Sequence, residues 1–178
     1  MLGESFSGEM RLAGSDSALF VQVRMNTLSL GVARIDLDSP AQVQGCDGVP
    51  NSTGMPSVLT ASGSDEVQQN RFHLSMTDLP ANSLYLPIVS STAGFTASPG
   101  GSDGTLCLGG AIGRLHASSG FATAWGEGAA SVDLTQLNQP TSSVAVQAGE
   151  TWHFQAWYRD ISGAGGNNFT SSIAITFR

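Results

Sequence analysis

Apolar residues in this chain recur at every second position in short runs, and each run is soon cut by Gly, Ser, Asn or Pro. A period of two puts successive side chains on opposite faces of an extended strand, whereas an amphipathic helix needs its apolar positions to return every three or four residues. No stretch of three helical turns shows that spacing. Strands are therefore expected at 57–62, 70–77, 83–90, 104–108, 129–134, 143–147, 151–159 and 171–177. Nearer the start, Leu19, Val21 and Val23 alternate with Phe20, Gln22 and Arg24, Asn26-Thr27 interrupts, and Leu28, Leu30 and Val32 resume, which is the pattern of a hairpin. The apolar phase then moves to Ile35 and Leu37, and a one-residue β-bulge near Ala33-Arg34 accounts for the change. Many short strands joined by turn-rich segments specify an all-β chain. The expected architecture is an antiparallel β-sandwich, jelly-roll or Ig-like, of about 8–10 strands with little or no helix. With 178 residues the chain suits one domain.

The strand Thr151 to Arg159 carries the most information. Trp152, Phe154, Ala156 and Tyr158 share one face and are expected in the core, while His153, Gln155, Trp157 and Arg159 share the other. That second face is either a covered layer or an exposed stacking platform.

Charge narrows the function. The chain has no lysine, its seven positive charges are all arginine, and fourteen Asp and Glu give a net charge of −7. Nucleic-acid binding needs a basic patch that releases counterions from phosphate, so nucleic acid is excluded as a partner. A Walker loop and a Schiff-base mechanism are excluded with it, because both need a lysine amine. No segment approaches the apolar length of a membrane helix, and membrane insertion is not expected. Met1 to Ser5 lacks the basic start and apolar run of a signal peptide, which reads as a mature or trimmed chain. The two cysteines, Cys46 and Cys107, stand far apart with no Cys-x-x-Cys and no histidine beside them, a pattern of one disulfide rather than zinc. A disulfide implies an oxidising compartment, hence an extracellular or cell-surface location.

A run of words from Cys46 onward is fairly specific. It comprises Asn51-Ser52-Thr53-Gly54, Leu106-Cys107-Leu108-Gly109-Gly110, Ile112-Gly113-Arg114 and Trp152-His153-Phe154-Gln155-Ala156-Trp157-Tyr158-Arg159-Asp160. Over residues 46–178 the chain resembles a C-terminal β-sandwich module of secreted and surface bacterial multidomain proteins, among them thrombospondin-repeat-containing ones. The resemblance implies an extracellular, non-catalytic module. Residues 1–45 lie outside it, and their hairpin is expected to complete the sandwich.

Several constellations invite a chemical reading. Gly100-Gly101-Ser102-Asp103-Gly104 has the letters of a nucleophile elbow, but an elbow needs a strand before it and a helix after it, and here a strand is expected to follow. His73, His116 and His153 show no recurring spacing to an acid, and carboxylate pairs for glycoside hydrolysis are set by space rather than sequence. No enzyme activity is expected, with a hydrolase the remote alternative. Asp36, Asp38 and Asp47 could offer oxygens to calcium, the one cofactor considered. Trp157, with Gln155, Arg159 and His153 around it, could stack on a sugar ring while the polar groups take its hydroxyls; Trp125 and Tyr85 are further aromatics. Two sequons, at Asn51 and Asn168, are read as turn residues instead. Low charge, abundant Ser, Thr and Ala, and unpaired strand edges without lysine favour association between copies or with other surface proteins. The segment Ser5 to Leu12 is the candidate for packing on a neighbour. Binding of a polysaccharide is the alternative.

Overall fold

The computed structural model describes the backbone of residues 8–15, 18–25 and 28–36, and both backbone and side chains of residues 39–178. The chain divides into two compact units, Met1–Ser39 and Pro40–Arg178. The first holds β1 (Gly8–Ser15), β2 (Ala18–Met25) and β3 (Leu28–Asp36), an antiparallel meander in the order β1-β2-β3. Met25 pairs with Leu28, as the expected hairpin requires, and Asn26-Thr27 between them lie outside the described residues. The bulge lies elsewhere than expected. Gln22 pairs with Val32 but Arg24 with Ser29, which puts the extra residue of β3 at Leu30-Gly31 rather than Ala33-Arg34. A residue without Cβ fits a bulged backbone at low cost, and Gly31 stands at that point. β1, absent from the expected strands, pairs with β2 along its whole length. Of the segment proposed for a neighbour, Gly8–Leu12 is thus strand within its own sheet, and Ser5–Ser7 lie outside the described residues.

The second unit is an antiparallel β-sandwich. In chain order its strands are β4 (Gln42–Gln44), β5 (Val58–Gly63), β6 (Phe72–Thr77), β7 (Leu84–Ser90), β8 (Ala93–Ala97), β9 (Thr105–Leu108), β10 (Gly113–Arg114) and β11 (Gly120–Phe121). There follow β12 (Gly128–Val132), β13 (Leu137–Asn138), β14 (Ser143–Val144), β15 (Thr151–Arg159), β16 (Asn167–Phe169) and β17 (Ile173–Thr176). The larger sheet runs β10-β7-β15-β17-β4, with β11 also on β7 and β16 also on β15. The facing sheet runs β12-β6-β5, and two hairpins, β8-β9 and β13-β14, complete the unit. Helical structure among the described residues is confined to three short 3-10 turns, in keeping with the missing helical period.

The core between the sheets follows the alternation. Trp152, Phe154, Ala156 and Tyr158 of β15 are buried against Phe72, Leu74 and Met76 of β6, with Ile173 and Ile175 of β17 beside them. Phe72 meets Phe154 and Phe177 with ring centroids 5.1 and 5.2 Å away, tilted and edge-on, the arrangements aromatic quadrupoles favour. The opposite face of β15 carries a second, smaller apolar layer. There Ile88, Leu108 and Phe169 are buried, with Leu86, Leu106, Ile112 and Trp157 packed around them. The Cys46–Cys107 disulfide is present and joins the segment ahead of β5 to β9, across 61 residues of sequence. Among the described residues no helix is long and apolar enough to cross a membrane.

Candidate functional site

The four side chains read together on the outer face of β15 have different fates. Gln155 is fully buried. Its Oε1 accepts the Cys107 N–H at 2.9 Å, and its Nε2 donates to the Thr105 and Thr170 carbonyls, each at 2.9 Å. The amide is spent on backbone groups, so Gln155 clamps β9 and the turn ahead of β17 onto β15 instead of meeting a ligand. Trp157 is half-buried; its Nε1 donates to Asn167 Oδ1 at 3.1 Å, and the Arg159 guanidinium stands 5.2 Å from its ring centroid. Of the two readings of this face, an open stacking platform meets a ring that already has a cation over it. What remains is a groove of about 360 Å³ walled by Leu86, Ile88, Leu106, Ile112, Trp157 and Phe169, with Arg114 at its rim.

His153 is half-buried on the same face, and burial holds its imidazole below the ordinary pKa of 6.5. The unfolded chain thus takes up a proton before the folded one does as pH falls. Stability from neutral His153 is complete above its ordinary pKa and is lost as pH drops below it. The melting temperature is expected to decline between about pH 7 and about pH 5, and less steeply in His153→Gln. An identical pH profile in the variant contradicts this assignment.

A more exposed surface lies at one end of the sandwich. Phe121 of β11 pairs with Leu84 at the start of β7, and Tyr158 near the end of β15 pairs with Tyr85, so the turn that follows β15 rises beside them. Leu84, Phe121 and Ile161 line one depression of about 530 Å³ together with Ser52, Arg159 and Asp160. The adjoining turn, fixed by Leu79 N–H to the Gly126 carbonyl and by Asn82 N–H to the Thr123 carbonyl, carries Trp125. Phe121 is 71%, Trp125 87% and Ile161 88% exposed. Sequence reasoning singled out Trp157 over Trp125 because it sat in a strand with polar neighbours. Tyr85 is buried instead, its hydroxyl donating to the Ala129 carbonyl at 2.8 Å.

The remaining candidates have local roles. Ser102 is buried; its hydroxyl donates to the Asn167 carbonyl and accepts from the Gly104 N–H, and β9 follows it as expected of a turn. His73 is exposed, with Nδ1 3.1 Å from Ser131 Oγ, and His116 is exposed in a 3-10 turn. Asn51 is buried in an Asx turn, its Oδ1 accepting from Thr53 N and Oγ1. Asn168 is buried too, with Oδ1 accepting from the Phe169 N–H. Asp47 is exposed, 3.5 Å from Gln44 Nε2, while Asp38 and the side chain of Asp36 lie outside the described residues. No group of three or more His, Cys, Asp or Glu side chains converges on a metal position among the described residues. Compared with protein families, curated proteins and solved structures, the chain matches no family, no curated protein and no structure.

Proposed function

We propose that this chain is a non-catalytic, extracellular structural or interaction module that associates with further copies of itself through the loop end bearing Leu84, Phe121, Trp125 and Ile161. The observation that carries the reading is the exposure of three large apolar side chains, at 71, 87 and 88%, at one end of the sandwich. Large apolar groups gathered on a surface mark contact sites. Burial of each is worth roughly 1.5–3 kcal/mol. Six of them across two copies work against a cost of association of roughly 4–15 kcal/mol. The disulfide supports an oxidising compartment. The committed hydrogen bonds of the Ser102 hydroxyl favour a non-catalytic role.

Sedimentation velocity over a rising concentration series tests this. The parent chain is expected to shift to larger species, and the triple variant Phe121→Ser, Trp125→Ser, Ile161→Ser is expected to stay monomeric. A parent that is monomeric throughout, or a variant that associates equally, overturns the reading. A second reading, carbohydrate binding, rests on the exposed indole of Trp125, which has the free ring face that Trp157 lacks. Retardation of the parent, but not of Trp125→Ala, in gels cast with polysaccharide would support that alternative.

A further inference from the structure

Two carboxylates meet beside the turn that follows β15. A Cβ built on Gly163 would stand 2.6 Å from Asp103 Oδ2 and 2.8 Å from Asp160 Oδ2, so both oxygens converge on the space that this glycine leaves. They are thereby held within about the width of one Ca²⁺ coordination sphere, whose oxygen contacts are about 2.3–2.6 Å. Asp103 is brought there by the Gly165 N–H, which donates to both of its oxygens at 2.9 and 2.8 Å. Asp160 is brought there by the end of β15, and its Oδ2 accepts the Ser52 N–H at 2.8 Å. Asp160 is 1% exposed, and its second oxygen, Oδ1, is buried with no hydrogen-bond partner.

A buried carboxylate oxygen left unpaired beside a second carboxylate is costly unless a cation or proton answers it. Neither Asp103 nor Asp160 makes an ion pair among the described residues, and the chain has no lysine to supply one. The Tyr158 hydroxyl, two residues before Asp160, is buried beside Ser57 and Asn51 and lies in the field of both carboxylates.

We infer that Asp103 and Asp160 form a binding site for a hard divalent cation of the Ca²⁺ type, with backbone carbonyls and water completing the oxygen shell. Two carboxylates match the charge of such an ion, and Ca²⁺ accepts mixed carboxylate, carbonyl and water ligands in flexible geometry. The ion would tie together the turn before β9, the turn after β15 and, through Ser52, the turn at Asn51–Gly54. This site is distinct from Asp36, Asp38 and Asp47, and it rests on observations other than the exposed apolar side chains, although Asp160 and Ser52 also line the depression at the loop end.

Calcium chloride added to the chelator-treated, non-reduced chain tests the inference by calorimetric titration and by thermal melting. Saturable binding of about one ion, half-complete at about 10⁻⁴–10⁻³ M as in extracellular modules, is expected together with a rise in melting temperature. Both effects are expected to vanish in Asp103→Asn, whose part-exposed side chain makes it the variant best placed to fold. They should also weaken in Gly163→Ala, where a methyl group enters the space between the oxygens. No binding by the parent at millimolar Ca²⁺, or binding unchanged in a folded Asp103→Asn, overturns the inference.

Discussion

A chain carrying Cys46→Ser and Cys107→Ser is expected to lose about 4 kcal/mol of unfolding free energy, because the disulfide closes a loop of 61 residues and restricts the unfolded ensemble. The folded state has little reason to rearrange. The Cys46 N–H donates to Ser172 Oγ at 2.9 Å and its carbonyl accepts the Ser172 N–H, so this segment stays tied to the larger sheet without the sulfur bridge. Cys107 is likewise held through its N–H on Gln155. The loss should therefore appear as a lower denaturant midpoint with an intact β-sheet signature before the transition. Urea unfolding with and without reductant measures it, and a loss below about 1 kcal/mol contradicts the entropic account.

The second large effect is expected at Gln155→Leu. The substitution keeps the volume and apolar character of a buried position but removes the partner of three backbone groups, the Cys107 N–H and the carbonyls of Thr105 and Thr170. Each buried backbone group left unsatisfied costs about 1–3 kcal/mol. A total of about 3 kcal/mol or more is expected by denaturant unfolding, with early amide exchange in β9 and β16 as its local signature. The hairpin β8-β9 lies over the outer face of β15 by way of this amide and the Leu108 contact with Ile88 and Phe169. If Gln155→Leu is as stable as the parent, the outer layer is held by apolar packing alone and the clamp is unnecessary.

Much of the sandwich was legible because its long strands are half-buried, with one face in the core. Val58–Gly63, Phe72–Thr77, Leu84–Ser90, Thr105–Leu108 and Thr151–Arg159 fall close to the expected segments, and Trp152, Phe154, Ala156 and Tyr158 occupy the core as their alternation required. Strands of two or three residues such as Gly113–Arg114 and Gly120–Phe121 were not, since no period can be read over so short a span, although Ser143–Val144 falls within the expected segment 143–147. Ala93–Ala97 was missed for a different reason. Its residues are small or exposed, and pairing with β9 rather than burial makes it a strand.

The outer face of β15 shows where sequence reasoning stops. Period two placed Gln155 and Trp157 side by side on one face, but only tertiary context assigns the amide to the backbone and the indole to a groove wall beside Arg159. The loop end was less legible still. Phe121, Trp125 and Ile161 are scattered in sequence among turn residues, and the antiparallel register of β7 with β11 and β15 brings Phe121 and Ile161 to one depression. Asp103 and Asp160 meet for the same kind of reason, through the fold of two glycine-rich turns rather than any motif.

The most direct test of the proposed contact is photo-cross-linking of the non-reduced chain with a benzophenone amino acid in place of Trp125. The account predicts dimeric adducts whose cross-linked peptides map to the loop end around residues 121–125 and 161 of the second copy. An absence of adducts at concentrations where larger species sediment, or adducts that map only to distant strands such as β4, would contradict it.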